Sequence, residues 1–568
     1  MNIIMTRRVA QIFFLALFVW FCVVTTLGDR FMQLRGWPVN WFLQLDPLVA
    51  LGTALTTHTI YAGLIWALVT IALTMLLGRF FCGWLCPFGT LHQFFGWLGQ
   101  RTKKHAQRVA ANQYRRGQAI KYYILVGMLV AAAFGAKSLQ TGWLDPIPLM
   151  QRSVNMMLLP LTGLARFYSG AWVIGGVFVA AICLNFVVPR FYCRFLCPLG
   201  ALFGVLARWT PWRIGKREGT CTNCELCENN CEGACEPFEK IRWSECLLCM
   251  NCLDACRQTQ MVYGPNRSAA GEVDSPDVTR RGLLIAAVSG LVAVPAIRLS
   301  GMLGTNWSPR VVRPPGALPE QEFLERCIKC DQCIRVCPTN VIQPAGLEAG
   351  VEGVWTPVLN FRVGTSGCQL NCVACGNVCP TAALRPLTLD EKVGRGRYES
   401  AGPVRMGMAF VDQGRCLPWA MDKPCIVCEE NCPVTPKAIY LREEFRVVRD
   451  GARAVKSVNG TTVELDGPAM KPGRLATSDY FLRVGEERRQ IVENAENSVG
   501  VLTAFASAPL VGSGVEVEIR LQKPVVDVTR CTGCGICEHE CPVSGLRAIR
   551  VSAENETRSK KHSLLAGV

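Results

Sequence analysis

The sequence lacks the motifs by which several common cofactors are bound. It has no Walker A loop and no Gly-x-Gly-x2-Gly after a predicted strand, so we do not expect nucleotide chemistry. No Cys-x2-Cys-His occurs, which excludes covalent c-type haem, and no flavin-attachment sequence is visible. Only 5 of the 568 residues are histidine. His58 and His92 could serve a quinone or a haem, but an isolated histidine more often serves neither.

Cysteine, in contrast, is present far beyond ordinary use, at 31 residues. A chain of this length does not need disulfide staples, and disulfide frameworks do not repeat one spacing. Cys-x2-Cys pairs also bind zinc, but three ligands at this spacing followed by a fourth are typical of [4Fe–4S] ferredoxins. Six groups of four cysteines follow this pattern, so we predict six [4Fe–4S] clusters and iron as the bound metal.

Two of the six groups lie together at residues 220–258. In a two-cluster ferredoxin, the fourth cysteine of each run ligates the other cluster. One centre is therefore predicted on Cys221, Cys224, Cys227 and Cys256. The other is predicted on Cys246, Cys249, Cys252 and Cys231.

The formal net charge of +16 counts every thiol as neutral. Thiols lose their protons when they bind metal, so a [4Fe–4S] centre with four thiolates carries about two negative charges. Six clusters would cancel about twelve of the positive charges. Since no recognition motif is present either, we do not expect the chain to bind nucleic acid.

Residues 1–210 contain four apolar runs that approach the roughly 20 residues a bilayer requires. They lie at about 9–27, 60–77, 120–136 and 171–188. Lys and Arg concentrate between the second and third runs and after the fourth, and such residues mark the cytoplasmic side. We predict an α-helical inner-membrane domain of four transmembrane helices in contact with lipid. Both of its ends, and the ferredoxin at 211–260, then face the cytoplasm.

This membrane half contains a direct repeat. Leu45-Asp46-Pro47 recurs as Leu144-Asp145-Pro146, and Cys82-x3-Cys86-Pro87 recurs as Cys193-x3-Cys197-Pro198. Because i and i+4 share one face of a helix, each cysteine pair is a two-thiol clamp. If the two copies pack together, the four thiols form an extra metal site. The alternative is that the cysteines and prolines only shape a break in the helix.

Asp46 and Asp145 each precede a proline. An aspartate in this position is typical of a helix N-cap with proline at the first helical residue. We favour that role over a proton relay.

Residues 261–305 are predicted to be a polar linker followed by a signal-anchor segment. Arg280 and Arg281 directly precede a weakly apolar run, as in a twin-arginine export signal. Pro295 and Arg298 interrupt the run, which suits such a signal better than an ordinary anchor. We predict export of everything after it. The alternative is a packed helix in a wholly cytoplasmic array.

Residues 306–550 hold the other four groups, each of which ends in Cys-Pro. Their members are Cys327, Cys330, Cys333 and Cys337; Cys368, Cys372, Cys375 and Cys379; Cys416, Cys425, Cys428 and Cys432; and Cys531, Cys534, Cys537 and Cys541. We predict α+β bacterial-ferredoxin-like domains here. Four groups make two ferredoxin pairs, and we favour nested pairing, first with fourth and second with third, over sequential pairing.

An insertion at about 440–525 separates the third group from the fourth. Alternating apolar and polar residues predict strands at 445–448, 461–465 and 515–519. A helix is predicted at about 485–506. We expect the insertion to dock a partner or to cover the clusters. Residues 551–568 are predicted to be a disordered tail.

Residues 1–260 resemble the NapH-type membrane component of quinol dehydrogenases in periplasmic nitrate reductase systems. The marks of this family are four spans, two Cys-x3-Cys-Pro motifs and a two-cluster ferredoxin. Residues 279–568 resemble the NapG-type ferredoxin partner, which is akin to the methylamine-utilisation ferredoxins. The match is best at Val404–Asp412, which leads into Cys416, and at Cys531-Thr532-Gly533-Cys534-Gly535.

The resemblance implies a fusion of two family members that delivers electrons from quinol to a periplasmic oxidoreductase. The chain departs from the family pattern at three points. Cys231 and Cys256 lack a following proline, Cys235 is a rival fourth ligand, and the insertion after Cys432 is longer.

The sequence therefore predicts a multi-pass electron-transfer protein with quinol as substrate and residues 306–568 in the periplasm. A separate redox protein would be its partner and would hold the terminal substrate site, so whether this chain counts as an enzyme is left open. Two alternatives are a maturation factor for a partner redox enzyme and a membrane redox-sensing regulator. In the regulator, the two cysteine clamps would be the switch.

Overall fold

The computed structural model describes residues 3–26, 37–135, 141–161, 168, 170–219, 221–273, 276–299 and 310–559. The chain forms two compact units. The first consists of Met1–Asn360 and Asn371–Lys392, and the second of Phe361–Leu370 and Val393–Val568. The second cysteine group of the polyferredoxin half is thereby divided, because Cys368 belongs to the second unit and its other three members to the first.

The first unit contains a bundle of mostly apolar helices. They are Ile3–Thr26, Trp41–Gln44, Pro47–Thr57, Ala67–Leu77, Pro87–Gln100, His105–Asn112, Ile120–Val130, Pro146–Leu161, Ala171–Cys183, Phe191–Phe195, Pro198–Leu206 and Arg280–Leu299. Short turns of 3-10 or π helix lie at Ala62–Trp66, Phe81–Leu85, Arg116–Ala119, Ala131–Gly135, Thr141–Trp143, Leu184–Phe186 and Ala207–Trp209.

In the described part of the chain, two of these segments are long and apolar enough to cross a membrane. They are Ile3–Thr26 and the continuous stretch His105–Phe134, and Ala62–Leu77 and Ala171–Phe186 are shorter apolar helices. Each of the four predicted runs thus falls on an apolar helix. The ends of the first and third runs, at residues 27 and 136, lie outside the described residues.

Capping residues begin several of these helices. The Asp46 carboxylate accepts a hydrogen bond from the Leu48 amide at 2.9 Å, and Asp145 accepts one from Ile147 at 3.1 Å. Proline follows each aspartate at the first helical position, where no amide hydrogen is needed. The prediction that both aspartates are N-caps is confirmed.

The helix Arg280–Leu299 packs against Ile120–Val130 through small residues. Ala286 and Gly290 are buried, whereas Leu284 and Val288 are exposed. A Cβ on Gly290 would lie 2.2 Å from the Gly127 carbonyl oxygen. Small residues four apart that allow this backbone approach are typical of helix pairs within membranes.

The ferredoxin of the first unit is built on two short sheets. Arg213–Lys216 pairs antiparallel with Met261–Gly264, and Ile241–Arg242 pairs parallel with Glu272–Val273. Its helices are Leu226–Asn229 and Asn251–Ala255, with a 3-10 turn at Trp243–Glu245. The stretch after residue 260, predicted to be a linker, instead completes both sheets, so the prediction was wrong there.

The rest of the first unit carries the first cysteine group of the polyferredoxin half. Its helices are Glu320–Arg326, Gln332–Val336, Gly350–Gly353, Ala374–Asn377 and Leu389–Val393, with a 3-10 turn at Leu347–Ala349. The strands Ile342–Pro344 and Pro357–Leu359 pair antiparallel. Each cysteine-bearing turn therefore leads into a short helix.

The second unit combines a ferredoxin with a closed six-stranded barrel. The ferredoxin pairs Met408–Val411 with Ile549–Ser552 and has helices Leu417–Ala420, Val427–Glu430 and Ile536–Glu540, with a 3-10 turn at Gly396–Tyr398. The barrel strands are Ile439–Asn459, Thr462–Asp466, Tyr480–Val484, Glu487–Asn494, Ser498–Val501 and Gly514–Val526. They follow one another around the barrel in the order third, fourth, fifth, second, first and sixth.

The barrel coincides with the predicted insertion and includes its three predicted strands. The predicted helix at 485–506 is wrong, because this segment forms the fourth and fifth strands. Ile491, Val499 and Val501 point into the barrel core, which shows that alternation was the correct signal there. Part of the predicted tail is also ordered, since Ile549–Ser552 is a paired strand. Residues 560–568 lie outside the described part.

Candidate electron-transfer centres

The first ferredoxin brings together one of its two predicted ligand sets. The charge of Cys252 interacts with those of Cys249, Cys246 and Cys231. Cys235, the rival ligand, lies with its sulfur 3.5 Å from that of Cys231. This hydrogen bond lowers the pKa of Cys231 to about 6, and a lower pKa favours the thiolate that binds iron.

The other predicted set of this ferredoxin is more open. Cys224 is exposed, and Cys221, Cys227 and Cys256 are half-buried. Cys227 lies within electrostatic range of Cys231 and Cys252 of the first set. The assignment of a cluster to these four cysteines stays a prediction.

This ferredoxin is held against the helical bundle by buried arginines. Arg7 donates to the Cys249 carbonyl at 2.6 Å and to the Glu232 carboxylate at 3.0 Å. Arg194 donates to the carbonyls of Glu232 and Cys231. Neither arginine was among the site residues predicted from the sequence. The sequence offered one clue to this role, because Arg194 lies between the two cysteines of a Cys-x3-Cys pair.

Glu232 receives two of these cations, since Arg190 also lies 2.8 Å from it. Burial by itself would raise the pKa of the Glu232 carboxyl, but Arg7 and Arg190 together lower it to about 2. The carboxylate is therefore charged at any physiological pH. The contact between the ferredoxin and the bundle thus rests on a charge network.

The turn between Phe81 and Leu85 completes this contact. The Trp84 indole donates to the Leu248 carbonyl at 3.0 Å. A Cβ on Gly83 would lie 2.2 Å from the Leu247 carbonyl oxygen, a distance that no side chain tolerates. Glycine at this position therefore lets the first Cys-x3-Cys turn touch the cysteine loop of the ferredoxin.

The first polyferredoxin group lies at another part of the bundle. Its Cys327, Cys330 and Cys333 are all within electrostatic range of Cys379. Burial raises the pKa of Cys330 to about 12, so a metal must displace its proton on binding. The fourth ligand of this set is thus supplied by the second group, as in two-cluster ferredoxins.

Polar side chains of the helix Pro146–Leu161 hold this group. Arg152 donates to the Lys329 carbonyl at 2.9 Å, and Asn155 to the Asp331 carbonyl at 3.1 Å. Arg335 in turn donates to Gln151 at 2.8 Å. These contacts fix the cysteine loop on the bundle.

The second unit contains two further cysteine sets. Cys416, Cys425 and Cys428 lie with Cys541, and Cys531, Cys534 and Cys537 lie with Cys432. The third group therefore pairs with the fourth, and the first pairs with the second through Cys379. The favoured nested pairing is wrong, and sequential pairing is what the fold adopts. The strand pair Met408–Val411 and Ile549–Ser552 brings the third and fourth groups together across the barrel insertion.

The four cysteines of the membrane repeat also converge. The charge of Cys86 interacts with those of Cys82 and Cys193, and the charge of Cys197 interacts with all three others. Within the described ranges, no three His, Cys, Asp or Glu side chains close around a single-ion position.

Comparison with known proteins agrees with these centres. A family model described as a 4Fe-4S binding domain (Fer4_5) matches residues 59–105 and 170–217. A second with the same description (Fer4) matches residues 323–343 and 524–547. Each of the two Fer4_5 matches contains one Cys-x3-Cys-Pro motif. No solved structure gives a significant match.

Several curated proteins are similar to parts of the chain. The ferredoxin-type protein NapH of Escherichia coli is 27% identical over 270 residues, which cover 44% of this chain and 85% of NapH. The methylamine utilization ferredoxin-type protein MauN of Methylorubrum extorquens is 30% identical, over 33% of this chain and 59% of MauN. The protein NirI of Paracoccus denitrificans is 30% identical, over 38% of this chain and only 32% of NirI.

Fold and cysteine sets define this chain as an iron–sulfur electron-transfer protein with candidate membrane helices. Among such proteins, it is similar to the ferredoxin-type proteins NapH and MauN, over 44% and 33% of its length.

Proposed function

We propose that this chain relays electrons across the inner membrane, between the quinol pool and a separate oxidoreductase. The observation that supports this most directly is that cysteine groups contact both ends of the helix Ile3–Thr26. Arg7, near its start, bonds to the 221–256 ferredoxin. Cys22, near its end, contacts Gln151 at 3.5 Å, and Gln151 bonds to Arg335.

The distance between these two contacts is about three quarters of the thickness of the hydrocarbon core of a membrane. A helix rises about 1.5 Å per residue, so Arg7 and Cys22 are about 22 Å apart along the axis. The hydrocarbon core of a bilayer is about 30 Å thick. A protein with ferredoxins at both ends of such a helix is suited to moving electrons from one face to the other.

Five spans account for this arrangement. Four follow the predicted apolar runs and leave the ferredoxin at 211–260 in the cytoplasm. The helix Arg280–Leu299 is the fifth, since its small face packs on a bundle helix and its outer face is exposed and apolar. An odd number of spans then takes residues 306–568 to the periplasm. The twin-arginine pair would remain as part of a retained anchor.

When bound, the six [4Fe–4S] clusters would supply one-electron redox carriers. The chain's own residues hold them at fixed positions through the buried charges described above. Quinol as the electron source, and the fusion of NapH-type and NapG-type parts, are proposed from the likeness of residues 1–260 and 279–568 to those families. The partner would be a periplasmic redox protein.

Epitope insertion into the full-length chain tests the sidedness. One tag is placed at Arg267 and another at the barrel turn Gly473, both of which are exposed. In intact spheroplasts, protease should remove the tag at Gly473 and spare the tag at Arg267, and lysis should expose both. Equal digestion in intact spheroplasts would refute the relay across the membrane.

A second experiment tests the source of electrons. Anaerobically purified protein is mixed with a reduced quinol, and cluster reduction is followed by absorbance and electron paramagnetic resonance (EPR). We expect quinol to reduce nearly as large a fraction of the clusters as dithionite does. Clusters that dithionite reduces and quinol does not would rule out quinol as donor.

A further inference from the structure

The two Cys-x3-Cys-Pro motifs meet at one place in the first unit. Cys82 lies in the π turn Phe81–Leu85, and Cys193 in the helix Phe191–Phe195. Cys86 and Cys197 are the N-cap residues of the helices that follow. Cys197 is within electrostatic range of the other three cysteines. Two thiols from each copy of the repeat therefore face a common space.

The backbone around these sulfurs is arranged for thiolates. The Gly89 amide donates to the Cys86 sulfur at 3.3 Å, and the Gly200 amide to the Cys197 sulfur at 3.1 Å. Burial is the larger effect and raises the pKa of both thiols, so a metal must displace their protons. The position of both sulfurs at helix N-termini acts in the opposite direction and favours the thiolate. Amide hydrogen bonds to sulfur are also what iron–sulfur proteins use to adjust cluster potential.

The buried charges beside this cysteine quartet do not balance with neutral thiols. Four buried cations, Arg7, Arg79, Lys121 and Arg190, form salt bridges with only two carboxylates, Glu232 and Glu245. Three of these cations interact directly with quartet cysteines. Buried charge without a counter-charge is strongly destabilising. Arg194 is a fifth buried cation here, and a ferredoxin cluster beside Arg7 and Arg194 would neutralise part of this excess. Thiolates of a metal-bound quartet would neutralise the rest.

We propose that Cys82, Cys86, Cys193 and Cys197 together hold one iron–sulfur cluster, shared between the two copies of the repeat. This is a seventh centre beside the six ferredoxin sets. A lone zinc ion on four thiolates would carry the same charge, so the test below measures zinc as well as iron. Binding releases the thiol protons still present, and the centre then takes up and gives back one electron without making or breaking a bond.

The depth of this centre gives it a place in the proposed relay. Gln11 donates to the Gly83 carbonyl at 2.7 Å, next to Cys82. On the helix Ile3–Thr26, Gln11 lies between Arg7 and Cys22, which mark the two ferredoxin contacts. Because electron tunnelling falls steeply with distance, a centre at this level divides the crossing into two shorter steps. This role rests on the proposed relay, whereas the metal site itself does not.

Iron counting on the full-length protein tests the site. Iron and acid-labile sulfide are measured per chain on anaerobically purified wild type, Cys82→Ser, Cys193→Ser and the double variant. Cys183→Ser, at an exposed cysteine outside the quartet, is the matched control. We expect about 28 irons in wild type and in the control, against about 24 in each single variant and in the double variant.

The non-additive loss is the decisive result, because a shared centre is removed entirely by either substitution. Losses that add in the double variant would indicate one metal site per copy, and would overturn the proposal. So would an unchanged iron count, or stoichiometric zinc in the wild type. The six ferredoxin clusters report folding, since a correctly folded variant keeps about 24 irons. Mössbauer spectroscopy of the wild-type protein is a second measurement that needs no variant. A total of about 24 cluster irons in the wild-type protein would refute the seventh centre.

Discussion

Replacement of Gly290 by leucine tests whether the helix Arg280–Leu299 is an integral part of the bundle. Gly290 is buried against Gly127 on the neighbouring helix. A Cβ at this position would lie 2.2 Å from the Gly127 carbonyl oxygen, which has no room to move because it belongs to a helix backbone. The helices must therefore separate to accept any larger residue.

The size of the effect follows from this geometry. An ordinary contact begins at 3.4 Å, so the backbones must move apart by about 1.2 Å. A gap of 0.5–1 Å already forfeits about a quarter to a half of the dispersion energy of the atoms that face it. Overpacking of this kind costs about 1–3 kcal/mol. We expect Gly290→Leu to destabilise the folded protein by that amount.

The control is Ser289→Leu, which adds the same side chain on the exposed face of the same helix. Thermal unfolding in detergent, followed by cluster absorbance, compares the two variants. Gly290→Leu should unfold at a clearly lower temperature than Ser289→Leu. Equal unfolding temperatures would show that the helix is not held by this glycine contact.

Three other predictions concern the centres. Gly83→Val should displace the first ferredoxin and slow its reduction, measured by stopped-flow absorbance. The control Gly176→Val, whose Cβ meets nothing within 4 Å, should leave the rate unchanged. Equal rates for the two variants would contradict the close contact at Gly83. Glu232→Gln leaves two buried arginines without a carboxylate and should cost about 3–5 kcal/mol. Because the pKa of Glu232 is about 2 in the folded protein, against about 4.3 in an unfolded chain, this stabilisation is full above about pH 4.3. Unfolding at decreasing pH should show the difference from wild type shrink towards pH 2, and a constant difference would contradict the sign. Cys541→Ser should remove the same EPR signal as Cys425→Ser, whereas nested pairing would match it with Cys327→Ser.

Much of the candidate site follows from spacing alone. A thiolate set at i, i+3 and i+6 needs only a tight loop, so the first three ligands of the regular groups are fixed by local sequence. Cys327, Cys330 and Cys333 illustrate this, since they lie together as predicted. The Asp-Pro caps were also readable, because an N-cap bond spans only two or three residues.

The fourth ligand was less predictable, because it comes from far along the chain. Cys379 joins the first group. Cys541 joins the third, where the strand pair Met408–Val411 and Ile549–Ser552 brings the third and fourth groups together. The helix expected at 485–506 failed for a related reason. Closure of the barrel requires strands in this segment, and the side chains of Ile491 and Val499 pack in the barrel core.

By itself, the sequence determined which thiols are candidate metal ligands and which segments are apolar, since ligand type, spacing and hydropathy are local properties. Tertiary structure decided which distant cysteines share a centre, and that buried arginines such as Arg7 and Arg194 fasten a ferredoxin to the helical bundle. It also brought the two cysteine clamps to one place. These outcomes depend on the packing of helices and strands that are far apart in the chain, which no local pattern encodes.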